Sequence, residues 1–186
     1  GRGGVVADVL GANPYRSFWS NYERMEGLVT HLHLFAYFLV VSSLITTQRL
    51  WERFFQTSIA ASLLIGIYGV FQLAGVFVIN QGGVRIDGTF GNAIYLAVYL
   101  FFLIFITALL LARSSSTPMR AFYGAAILFQ FVILVYTGSR GPLIGLVGGA
   151  VLAAILAAVL HGGRVRKFAV GGIVLVLLGV VALATA

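Results

Sequence analysis

Six long stretches without Asp, Glu, Lys or Arg, each apolar almost throughout, take up most of the chain: residues 28–47, 58–79, 93–112, 121–136, 142–160 and 168–186. A helix needs roughly 18–20 such residues to cross a hydrocarbon layer about 30 Å thick. Inside that layer every backbone N–H and C=O must be bonded within the protein, which leaves helices and closed barrels. Barrel strands would be about half as long and would alternate polar with apolar. These runs are continuously apolar, so they predict an all-α, polytopic membrane protein of about six transmembrane helices, with residues 28–186 as the spanning domain. Composition agrees: 60% of the residues are hydrophobic, 9% are charged and the mean hydropathy is +1.03, well outside soluble domains.

The net charge of +7 and the pI near 10.3 do not point to nucleic acid, because the basic residues stand singly between apolar runs and never gather on a soluble face. They act as orientation signals instead. One set of connections carries Arg49, Arg53, Arg113, Arg120, Arg164, Arg166 and Lys167, and the alternate set carries only Arg85 and Arg140. The positive-inside rule makes the first side cytoplasmic. Arg85, Arg140 and residues 1–27 then lie outside, where topology does not require the two arginines. An arginine in the bilayer centre costs about 2.5–3.5 kcal/mol on insertion scales, so one kept at a tight membrane turn implies a use.

Residues 1–27 mix Pro14, Phe18, Trp19 and Tyr22 with Arg16, Glu23, Arg24 and Glu26, which fits an outer interfacial segment at headgroup level. With no cysteine there is no disulfide framework, no thiolate nucleophile and no Cys-ligated metal. The absence of an initiator Met at Gly1 and a last apolar run reaching Ala186 lead us to expect an internal piece of a longer protein. In the fifth run Gly141, Gly145, Gly149, Ala153 and Ala157 recur at helical spacing, a stripe that lets a neighbouring backbone approach closely and would fix Arg140 at the helix start.

The two outer turns hold the candidate chemistry. Residues 80–92 are glycine-rich and lead into the third run. Gly88 and Gly91 permit backbone geometries that expose amides, and Asn92 suits a helix N-cap. A helix start with an adjacent Arg85 makes a phosphate site; the competing interpretation is a capped turn in which Arg85 pairs with Asp87. The second turn repeats the pattern, with Gly138, Ser139, Arg140 and Gly141 ahead of Pro142, a favoured first-turn residue, and Ser139 a candidate cap. Two outward helix starts, each with an arginine and glycines, suit a pyrophosphate better than a single phosphate, because guanidinium grips phosphate oxygens in bidentate fashion.

The string Arg85-Ile-Asp-Gly-Thr-Phe-Gly-Asn92 with Leu96-Ala97-Val98-Tyr99 resembles the Arg-x-x-Gly-x-Phe-x-Asn-x-x-x-Leu-Ala-x-Tyr signature of the O-antigen ligase and polymerase superfamily. Tyr136-Thr-Gly-Ser-Arg-Gly-Pro-Leu-Ile-Gly-Leu146 is similar to its Thr-x-Ser-Arg-Gly-x-x-x-Gly-Leu signature. The resemblance covers residues 58–186, and residues 17–27 are similar to a segment of some members. Where the family often has Asn-Pro-Asn, this chain has Asn92-Ala93-Ile94. The resemblance implies a GT-C-like glycosyltransferase of the bacterial inner membrane, independent of metal or other cofactor. It would move a glycan from undecaprenyl pyrophosphate to an acceptor, either lipid A core, growing polysaccharide or protein, on the extracytoplasmic face. It assigns Arg85 and Arg140 to the lipid pyrophosphate, to which the turn residues Gly88, Asn92 and Ser139 are added as candidate ligands by their place at the two helix starts, and places a catalytic histidine in an outer loop beyond residue 186.

The remaining polar residues have plainer expectations. His31 and His33 are two apart and so about 200° apart on a helix, poor spacing for a shared metal; His161 suits a helix-end cation. Glu23, Glu26 and Asp87 are candidates for a general base, with ion pairing to Arg24 and Arg85 as the ordinary alternative. Tyr95, Tyr99 and Tyr136 are expected to be packing and interface residues, with contact to a lipid-linked glycan as the alternative. A transporter or flippase for an anionic lipid-linked substrate is the competing function, and it predicts ionisable groups near span centres, where this chain has almost none.

Overall fold

The computed structural model describes residue 18 and residues 27–80 and 83–160. All regular structure among them is helical: α1 Leu28–Leu44, α2 Gln48–Leu73, a 3-10 turn Gly88–Phe90, α3 Ala93–Arg113, α4 Thr117–Tyr136 and α5 Arg140–Leu160. Against the six spans that the apolar runs predict, four described helices, α2 to α5, are long and apolar enough to cross a bilayer. The first run forms α1, of 17 residues, and the sixth lies outside the described residues, as does nearly all of the expected interfacial segment. The chain is a helical, multi-pass membrane protein.

It divides into two units, Gly1–Arg53 and Phe54–Ala186. In the first, α1 buries no side chain. Its polar groups bond back along the helix: His31 and His33 to the carbonyls of Gly27 and Val29, and Ser42 and Ser43 to those of Phe38 and Val40. The second helix starts earlier than the charge-free run. Arg49, Glu52 and Arg53 sit in its first turns, not in a connecting loop, because nothing before Gly66 breaks the helix. The Thr47 hydroxyl accepts from Leu50 N–H at 3.3 Å, and Gln48 donates to Glu52 one turn on at 3.1 Å, both supports of a helix start.

In the second unit α2 ends at Leu73, short of residue 79. Val76 N–H donates to Phe71 O and Gly75 N–H to Gln72 O, a closure that stops the helix. Pro118 then falls in the first turn of α4, as its ring favours. Helices α3 and α4 pack along each other, and α5 lies against α3 where Gly145 and Gly149 meet the rings of Phe101 and Phe105; a Cβ at Gly141 of the same stripe would enter open space. Two apolar clusters form the core, one of Ile86, Leu96, Ala97, Leu100, Ile133 and Leu134, the other of Ile59, Leu103, Leu110, Tyr123 and Ala126. A buried polar chain links three helices: Gln130 Nε2 donates to Ser62 Oγ at 2.7 Å, and Thr107 Oγ1 donates to Gln130 Oε1 at 3.2 Å. In hydrocarbon such groups must find each other. Outward faces carry Leu64, Phe102, Leu128, Ile144 and Leu152, as lipid contact requires.

Candidate functional site

The site forms where the end of α4 and the starts of α3 and α5 converge. The segment after residue 83 passes the end of α4, with Ile86 N–H donating to Tyr136 O at 3.4 Å. This aims Arg85 at the second turn. Its Nε donates to Thr137 O at 2.9 Å and its Nη2 to Ser139 Oγ at 3.1 Å. The two arginine-bearing turns, separated by more than fifty residues, are thereby tied together by the guanidinium of one of them. Gly138 makes this possible. Its φ of 62° is left-handed, and a Cβ there would lie 3.2 Å from Arg85 Nε and 3.3 Å from its Cγ, so the arginine stem lies flat against bare backbone.

Arg85 and Asp87 go opposite ways. Asp87 is fully buried, where its Oδ1 accepts from Gln72 Nε2 at 2.6 Å and its Oδ2 from Asn80 N–H at 2.8 Å. The ordinary alternative, a turn closed by an Arg85–Asp87 pair, gives way to separate anchoring of each. Thr137 and Ser139 use only part of the Arg85 fork, and the residue is exposed. Asp87, a candidate general base in the sequence, is buried with both carboxylate oxygens engaged by Gln72 and Asn80.

The predicted anion ligands take up different positions. Asn92 is the N-cap of α3, its side-chain oxygen accepting from Ile94 N–H at 2.8 Å, so Ala93 and Ile94 in place of Pro-Asn leave the helix start intact. Gly88 is buried with φ 57°, but its amide donates to Gln72 Oε1 at 2.9 Å; it is not an exposed anion donor, because the preceding helix has taken it. Ser139, 4% exposed, does not turn its hydroxyl to α5. The hydroxyl accepts from Arg85 and lies 3.5 Å from Ala93 O, a link between the starts of α3 and α5. Arg140 opens α5 and is exposed.

The motif spacing has a packing basis. Phe90 of the 3-10 turn meets Tyr99, two turns into α3, with ring centroids 5.2 Å apart, and the Tyr99 hydroxyl reaches Ser58 O of α2 at 3.5 Å. Tyr95 and Tyr136 are exposed. Gln72 and Thr137 are the residues that sequence reasoning passed over. The signal for Gln72 was available: a lone carboxamide at the end of an apolar run needs buried partners. Among the described residues no group of His, Asp or Glu is placed to hold a metal. Glu23, Glu26, Arg24 and His161 lie outside the described residues. No protein-family model, curated protein or solved structure matches the chain.

Proposed function

We propose that the chain is part of a membrane glycosyltransferase with a GT-C-like helical bundle, which transfers a glycan from undecaprenyl pyrophosphate to an acceptor on the extracytoplasmic face of a bacterial inner membrane. The observation that carries the reading is the Arg85 fork, bonded to Thr137 O and Ser139 Oγ, which joins the two resembling signatures at one end of the helices. Arg85 is preorganised by these bonds and keeps donors for phosphate oxygens. Arg140, one residue beyond Ser139, adds a second positive charge at the start of α5, where the helix dipole also favours an anion.

In this reading the acceptor oxygen bonds to the anomeric carbon as the bond from that carbon to the pyrophosphate oxygen breaks, the acceptor's proton passes to a base, for which the resemblance implies a histidine, and the diphosphate leaves with the electron pair. The two guanidinium groups stabilise the charge that develops on it. Arg85→Ala and Arg140→Ala in the full-length protein should each lower glycan transfer by about a hundred-fold or more, while membrane insertion stays as in the parent. Transfer at the parent level in either variant would overturn the assignment, and uptake of substrate into vesicles without any glycosylated product would favour a transporter.

A further inference from the structure

We infer that Gln72 is the positioning residue of the arginine site, acting through Asp87; the inference rests on the pyrophosphate reading and deepens it. Gln72 lies in the last turn of α2, 3% exposed, and spends its whole carboxamide on one loop. Its Nε2 donates to Val78 O at 2.8 Å and to Asp87 Oδ1 at 2.6 Å, and its Oε1 accepts from Gly88 N–H at 2.9 Å. Asp87 passes the restraint on to Asn80 N–H. One side chain of a rigid helix therefore grips the loop on both sides of its turn.

Arg85 stands two residues from Asp87 and is flanked by a second anchor, Ile86 N–H on Tyr136 O. With Asp87 held by Gln72 and Ile86 held by α4, the backbone that carries Arg85 has little freedom, and the guanidinium is presented in one place. Gly88 and Asn92 follow directly, so the same grip sets the register of the cap of α3. The pairing of a carboxamide with a buried carboxylate is directional: replacing Gln72 by Glu puts two carboxyl groups face to face, whereas exchanging the pair, Glu at 72 with Asn at 87, restores a donor opposite an acceptor between the two side chains, although Val78 O loses its donor.

The experiment uses the full chain in nanodiscs with undecaprenyl pyrophosphate as the probe, and reads affinity and melting temperature together. Parent protein should bind the probe and Arg85→Ala should not. Gln72→Glu and Asp87→Leu should bind between about ten-fold and a hundred-fold more weakly, the scale expected of a misplaced binding group. The double substitution Gln72→Glu with Asp87→Asn should bind more tightly than either single variant, though below the parent because Val78 O keeps no donor, a rescue that general loss of stability would not produce. Parent-like binding by Gln72→Glu, with Arg85→Ala still defective, would overturn the role of Gln72 and leave the pyrophosphate reading standing. Absence of binding by the parent would overturn both. Should either single variant fail to fold, the exchanged pair decides: folded but non-binding overturns the inference, folded and binding upholds it.

Discussion

At the scale of single residues, Arg85 takes its role in the pyrophosphate reading because its bonds to Thr137 O and Ser139 Oγ use only part of the guanidinium of an exposed residue. Lysine has no planar fork: its single ammonium cannot reproduce the separate Nε bond to Thr137 O and Nη2 bond to Ser139 Oγ and also offer a bidentate face to an anion. Arg85→Lys is therefore expected to behave like Arg85→Ala, losing most transfer in spite of its retained charge; transfer within about three-fold of the parent would show that charge alone suffices. Gly138 is the complementary case. Alanine there is placed in a left-handed conformation that costs about 1–2 kcal/mol and crowds the Arg85 stem. Gly138→Ala should lower both the melting temperature and affinity for undecaprenyl pyrophosphate, and unchanged affinity would mean that the stem does not need the bare backbone.

At the scale of elements, the helices of the second unit are joined by polar bonds as well as by shape. Ser62→Ala removes the acceptor of Gln130 Nε2 and leaves a buried amide unpaired, for a loss of about 1–3 kcal/mol. Gln130→Leu removes the amide itself, while Ser62 and Thr107 keep their bonds to Ile59 O and Leu103 O. The order of unfolding free energies in detergent should be parent, Gln130→Leu, then Ser62→Ala; the reverse order would show that the carboxamide packs and does not bridge. Between α3 and α5 the decisive feature is closeness. A Cβ at Gly149 would lie 2.6 Å from the Phe105 ring, whereas Gly148 faces open space. Gly149→Leu should drop the melting temperature by several degrees while Gly148→Leu leaves it unchanged, the contrast that shape-driven helix association in lipid predicts.

At the scale of the whole molecule, orientation follows from the side on which arginines accumulate. The chain has no cysteine, so single introduced cysteines report their side directly. Val84→Cys, at a position 83% exposed, should react with an impermeant maleimide in intact cells. Ser115→Cys, in the turn between α3 and α4, should react only after permeabilisation. The opposite pattern would put Arg85 on the cytoplasmic side and remove the extracytoplasmic site.

Helical class, multi-pass character and the start of α3 were legible residue by residue, because they depend on local properties: uninterrupted apolar length and the Asn92 cap act within a turn of their own position. The true reach of α2 was harder to see, since charge-free runs mark where lipid is tolerated and not where a helix must stop. Which polar groups meet was decided by tertiary structure alone. Asp87 turned inward to Gln72, Arg85 crossed to Thr137 and Ser139, and the Gly88 amide was taken by α2. Each of these choices joins groups far apart in the chain, and desolvated donors and acceptors select their partners by proximity after the helices have packed, information that no periodicity or spacing along the sequence contains.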